Sequence, residues 1–141
     1  QVYYGDESAR SLVVDGTVGD ATLRSFMNWD AIQNTSRTKA IMEHWQKLGQ
    51  FRANHPSIGA GVHQMISESP YLFYRSFSKG NYKDLVVVGL DLPIGEKVLD
   101  VSKVFENADT LRDAYSGILN KVVDGKITID SKFNILLLEK I

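Results

Sequence analysis

No cysteine occurs in the chain, which excludes a disulfide framework, a thiolate metal site and a cysteine nucleophile together. That absence is neutral between the cytoplasm and a bacterial secreted protein, so the compartment stays open among secreted, periplasmic and cytoplasmic. Charge of one sign is missing as well. Sixteen basic residues stand against seventeen acidic ones, with neither a basic run nor an acidic tail, and the electrostatic footprint of a nucleic-acid binder is therefore absent. No apolar run approaches the roughly 20 residues that span a bilayer. The opening residues lack the basic and apolar regions of a signal peptide, and there is no initiator Met. Gln1-Val2-Tyr3-Tyr4-Gly5 is strand-like with no lead-in, the expectation for a chain that starts inside a larger fold. A length of 141 residues allows one ordinary core that hides roughly two thirds of the unfolded surface, plus an appendage.

What is present divides into two unlike pieces joined by a helix. From Thr35 to Pro56 the apolar residues Ile41, Trp45, Leu48 and Phe51 recur at steps of three and four, while Lys39, Glu43, Lys47 and Gln50 fall on the other side, the pattern of an amphipathic helix. Thr35 or Ser36 can cap its start, and Pro56 ends it by pushing the preceding residue out of the α region. Before it, residues 1–34 are turn-rich, with Val2, Tyr3, Tyr4, Phe26, Met27 and Trp29 finding no regular partner within that length. After it the period changes to two. Strands are predicted over Ile58–Ile66, Tyr71–Phe77, Leu85–Leu90, Lys97–Val101, Leu111–Ser116, Ile118–Val123, Lys126–Asp130 and Phe133–Glu139. Leu85–Leu90 is apolar on both faces and belongs in the middle of a sheet, whereas 102–109 is a loop or a single helical turn. Asp124-Gly125 is the pair that best fits a two-residue hairpin turn. Seven or eight short strands in so short a stretch predict a mainly β fold, an antiparallel sandwich of two sheets with Greek-key connections.

The polar residues form no complete chemical constellation. Asp6 and Glu7 could be an acid/base couple, but adjacent residues of an extended chain point to opposite faces and cannot readily flank one substrate. His44, His55 and His63 lack a second ligand at metal spacing, so surface or capping roles are expected for them. Ser8 and Ser25 have no nucleophile-elbow context. Asp15, Gly16 and Asp20 match a calcium loop in composition only, without its alternating oxygens and terminal Glu. Tyr71, Tyr74, Tyr82 and Tyr115 could offer a sugar platform on the sandwich, making a freestanding glycan-binding module the alternative reading. Both tryptophans, at 29 and 45, precede the sheets, and strand tyrosines commonly serve as cross-strand partners.

Three stretches in fixed order, Tyr3-Tyr4-Gly5-Asp6-Glu7, Arg24-Ser25-Phe26-Met27-Asn28-Trp29-Asp30, and Leu48 to Pro56 with Gly59 to Val62 after it, resemble the C-terminal part of the alpha-amylase family, glycoside hydrolase family 13. Phe26 stands where the family usually has Pro. The resemblance implies that residues 1–56 are a loop-rich remnant of the C-terminal end of a (β/α)8 barrel including its last helix, and that 57–141 are the β-sandwich called domain C. It also implies a parent enzyme that hydrolyses α-glucosidic bonds of starch-like glucans with retention. The family's nucleophile Asp, acid/base Glu and third Asp lie on earlier barrel strands, and the N-H-D motif of the last is absent; the only Asn-His here, Asn54-His55, runs into Pro56. The resemblance thus implies no catalytic, cofactor-binding or metal-binding residue in these positions, with any calcium of the parent lying outside them. Asp6, Glu7, Arg24 and Trp29 become shaping residues at the active-site rim. The implied partner is the barrel of the same chain, with α-glucan reached only through the parent and self-association the expectation for apolar surface left bare.

Overall fold

The apolar strand with two faces to bury explains the architecture. In the computed structural model, which describes residues 2–141, the elements in chain order are α1 (Trp29–Asn34), α2 (Ser36–Asn54), α3 (Pro56–Ala60), β1 (Val62–Ser67), β2 (Tyr71–Lys79), β3 (Tyr82–Leu90), β4 (Gly95–Asp100), β5 (Thr110–Asp113), β6 (Leu119–Lys121), β7 (Lys126–Ser131) and β8 (Leu136–Lys140). Six strands form one sheet in the order β1-β2-β3-β8-β5-β6, and β4 pairs with β7 in a second. All pairings are antiparallel. β3 lies in the interior of the larger sheet, and Val86, Val87 and Val88 are all buried, as its two-sided apolar run requires.

The inward face carries Leu72, Val87, Leu111, Leu136 and Leu138 from the large sheet, which cluster with Leu99, Ile127 and Ile129 from the small one. This is the core of a sandwich. Chain order and spatial order diverge: the path leaves the large sheet after β3, and the last strand returns between β3 and β5, a crossover of the Greek-key kind. The Asp124-Gly125 turn matches its prediction. Val123 and Lys126 exchange both backbone hydrogen bonds at 2.9 Å, with φ of 49° at Asp124 and 72° at Gly125, the two positive values such a turn demands.

The helix expected from Thr35 or Ser36 to Asn54 is α2. Along its apolar stripe Ile41, Trp45 and Leu48 are half-buried and Phe51 is buried. The strand expected over Ile58–Ile66 begins instead at Val62, because residues 56–60 form a helical turn. Pro56 presets φ for such a turn, which packs on β2 and β3 with Ser57 buried. Gly61 follows it where a Cβ would lie 2.5 Å from the Ser57 carbonyl oxygen and 2.6 Å from that of Ser76, so only glycine lets the chain pass there.

Two compact units make up the chain, residues 1–48 and 49–141. The first contains, besides helix, a 3-10 turn over Asp6–Ser8 and another over Gly19–Arg24. It leaves Val2, Tyr3, Tyr4, Val13, Val18, Phe26 and Trp29 exposed, Phe26 at 98%. Val2, Tyr3, Tyr4, Phe26 and Trp29 are among the residues for which the sequence offers no partner; Met27, the sixth of those, is half-buried.

Candidate functional site

In the second unit a chain of charges crosses the outer face of the large sheet. Asp84 on β3, Glu139 on β8 and Arg112 on β5 share that face through the register that sets Val86 opposite Glu139 and Arg112 opposite Glu139. His55, between α2 and α3, joins them: its Nδ1 lies 2.8 Å from Asp84 Oδ1 and its Nε2 2.7 Å from Glu139 Oε2. Arg112 Nε donates to the other Glu139 oxygen at 2.6 Å. Both histidine contacts are full hydrogen bonds to carboxylates only when both ring nitrogens carry hydrogen.

Charged side chains of the large sheet fix α3 at both ends. The Ser57 N–H donates to Asp84 Oδ2 at 2.8 Å, placing a carboxylate at the helix start. Arg75 donates to the Ser57 carbonyl at 2.7 Å and the Gly61 carbonyl at 2.6 Å, placing a guanidinium at its end. Each charge has the sign that complements free N–H or C=O groups at that terminus. The expected surface or capping role of His55 is thereby corrected. It is a buried bridge, because the carboxylates that need it come from strands distant in sequence.

Burial pushes the Asp84 carboxyl up, but hydrogen bonds from His55 and Ser57 outweigh it and hold the group below the ordinary carboxylate value. A depressed folded value means stability that is complete above the unfolded carboxyl's pKa of about 4 and is lost as pH falls through the lower folded value. The stability gap between the wild-type chain and Asp84→Asn is therefore expected to narrow as pH falls below that value. Thermal melts between neutral and strongly acid pH read this directly, and a gap that does not change with acid would refute it.

A cleft of about 330 Å³ opens beside this cluster, with His55, Lys83, Asp84, Glu106 and Lys140 in its lining. Lys140 Nζ is paired with Asp109 at 2.5 Å. With both histidine nitrogens committed to carboxylates, the cluster has no spare ring nitrogen for proton transfer. Among the described residues no group of three or more His, Asp or Glu gathers as a metal shell.

In the first unit the segment 3–7 and the segment 23–28 are tied together. Ser8 Oγ donates to Asn28 Oδ1 at 2.7 Å and Asn28 Nδ2 to the Ser8 carbonyl at 2.8 Å. The Tyr4 hydroxyl reaches the Leu23 and Ser25 carbonyls at 3.1 and 3.2 Å. Asp6 accepts the Tyr3 N–H at 2.8 Å and Glu7 the Gly5 N–H at 3.0 Å, so each carboxylate closes its own turn. Arg24 and Trp29 are exposed. Asp15 and Asp20 lie exposed in separate turns.

The tyrosines do not form one platform. Tyr115 is buried edge-on to Phe133, Tyr74 packs against the core, Tyr71 stacks with His63 at 6.3 Å, and Tyr82 stands apart against Phe77. Sequence reasoning missed Arg10, Arg75, Asp84, Arg112 and Glu139. A signal existed for two of them: Asp84 and Glu139 are carboxylates in register with the apolar face of otherwise apolar strands, a placement that demands a partner.

No protein-family model matches the chain. It is 41% identical over 88 residues to the periplasmic alpha-amylase of Escherichia coli (strain K12), a match covering 62% of this chain and 12% of that protein. The crystal structure of an Anoxybacillus alpha-amylase superposes with a TM-score of 0.64 at 27% identity, over 96% of this chain and 28% of that one. AmyP in complex with maltose shares the fold, with a TM-score of 0.58 at 13% identity over 84% of this chain and 24% of its own. The chain thus spans a small part of the length of the proteins it matches. No described helix is long and apolar enough to cross a membrane.

Proposed function

This chain is an alpha-amylase homologue, and from that premise we propose that it is the C-terminal part of a bacterial, exported glycoside hydrolase, bracing the catalytic barrel without supplying a reacting group. The whole enzyme cleaves α-glucosidic bonds of starch-like glucans with retention. Residues 1–56 form the end of the barrel and 57–141 the supporting sandwich. One observation carries this reading: a match at 41% identity takes up most of this chain but only 12% of a periplasmic alpha-amylase. The exposed Val2, Tyr3, Tyr4, Phe26 and Trp29 support it as surface made to lie against further protein. The engagement of Asp6 and Glu7 by their own turn supports shaping over catalysis, with Arg24 and Trp29 completing the rim.

The experiment is expression of the complete reading frame beside the 141-residue chain. The complete protein is expected to far exceed 15.8 kDa and to release reducing ends from soluble starch, and the short chain to release none. Turnover by the short chain, abolished in Asp6→Asn or Glu7→Gln, would overturn the bracing role. Saturable heat on titrating the short chain with maltoheptaose would favour the freestanding binding module instead.

A further inference from the structure

Arg10 is a buried cation, 7% exposed, and among the described residues every group it donates to is uncharged. Its Nε reaches the Tyr4 carbonyl at 3.1 Å, Nη1 the Ser25 carbonyl at 3.1 Å and the Ser25 hydroxyl, and Nη2 the Leu23 carbonyl at 3.2 Å. The guanidinium carbon lies 4.1 Å from the centre of the Tyr4 ring. A buried charge held by neutral groups survives where several fixed dipoles replace its water. Here three carbonyls from two separate segments do so.

The surrounding backbone is shaped to admit this side chain. Gly5 has a φ of +88°, and a Cβ there would meet Arg10 Nε at 2.5 Å. The Arg10 N–H returns to the Gly5 carbonyl at 2.9 Å, closing the 5–10 turn around its own side chain. Ser25, besides accepting from Arg10, donates from Oγ to the Ser11 carbonyl at 2.5 Å. The planar fork thus spans two pieces of chain that a single ammonium could not bridge.

We propose that Arg10 is the positioning residue that sets the Tyr3–Glu7 turn against the Leu23–Asn28 segment, and that through this turn it governs how well the hydrolase binds its α-glucan. The second half rests on the reading under Proposed function, which puts both segments at the substrate rim. Arg10 is buried behind the turn and acts through it. Because the turn holds no reacting group, its displacement weakens ground-state and transition-state binding alike, which raises KM and leaves kcat nearly unchanged.

Arg10→Lys and Arg10→Met test it with two readouts. On the 141-residue chain, amide exchange at Asp6, Ser8 and Arg10 is expected to quicken at least about tenfold in both variants while Val87 and Leu138 keep wild-type protection. In the complete enzyme, KM for maltoheptaose is expected to rise about three- to tenfold with kcat within about twofold, the lysine variant failing to rescue because charge without the fork cannot reach all three carbonyls. Unchanged exchange in Arg10→Met would overturn the positioning role outright. Quickened exchange with an unmoved KM would overturn the link to substrate. A wild-type complete protein inactive on α-glucans would sink the functional reading and that link with it, and the exchange result would still decide whether Arg10 fastens the turn.

Discussion

Glu139→Gln is expected to cost about 3 kcal/mol of folding stability, because it takes away a buried carboxylate and leaves the buried partner it accepted from unsatisfied. Glu139 is 8% exposed and His55 9%, so neither can recover its lost contact from bulk water. The amide keeps the shape of the carboxylate, which confines the change to charge and hydrogen bonding. It has two neighbours to satisfy, His55 Nε2 on one oxygen and Arg112 on the other, and both are donors. One of them must face an amide NH2. The Arg112 side alone contributes much less, since that side chain is 47% exposed and its pair with Glu139 is open to solvent. Arg112→Ala should therefore cost under about 1 kcal/mol, as exposed ion pairs do. Urea unfolding of the two variants separates them, and equal losses would mean that His55 is not what Glu139 holds. A cycle including His55→Asn would localise the coupling.

How much of this was legible in the sequence follows from the distance over which each feature is decided. The α2 helix and β3 are written in their own residues. Ile41 to Phe51 repeat at helical spacing, and Leu85 to Leu90 leave no polar face, so burial on both sides is required wherever the strand goes. Asp124-Gly125 is equally local, two adjacent residues able to hold positive φ. α3 is not local. Its five residues are too few to show a period, and Gly59 and Gly61 flank apolar residues as they would in a loose strand. What makes the segment helical comes from the sheet: a carboxylate on β3 at its start and a guanidinium on β2 at its end. The His55 bridge depends on partners 29 and 84 residues away, and no spacing rule connects them. Arg10 lies between these cases. It sits three residues beyond the Tyr3–Glu7 motif, yet its role appears only once Leu23 and Ser25 return beside it.

The local and non-local features meet at the end of α2. The stripe of that helix was expected to bury Ile41, Trp45, Leu48 and Phe51 together, and the structure gives the deepest position to the last of them. Phe51 is where the apolar stripe and the polar bridge share an atom-scale boundary, its ring centred 4.5 Å from the His55 imidazole. A hydrocarbon wall beside a histidine held by two carboxylates excludes water from those hydrogen bonds and strengthens them.

Phe51→Ala is accordingly expected to cost about 3 to 5 kcal/mol, the range for deleting a buried aromatic side chain and leaving a cavity. At 5% exposure there is little room for the loss to be recovered by solvation in place. Leu48→Ala, one turn earlier and half-buried, is expected to cost about 1 kcal/mol, since only part of its surface leaves water on folding. Phe51→Leu refills most of the space and should fall below about 1.5 kcal/mol. Chemical denaturation of the three variants is expected to set Phe51→Ala well apart from the other two. If the ring also dries the bridge, the penalties of Phe51→Ala and Glu139→Gln will sum to more than the double variant shows, because a bridge already wetted loses less when its carboxylate goes. Strict additivity would make Phe51 a packing residue alone, and a loss under about half a kcal/mol would remove it from the core.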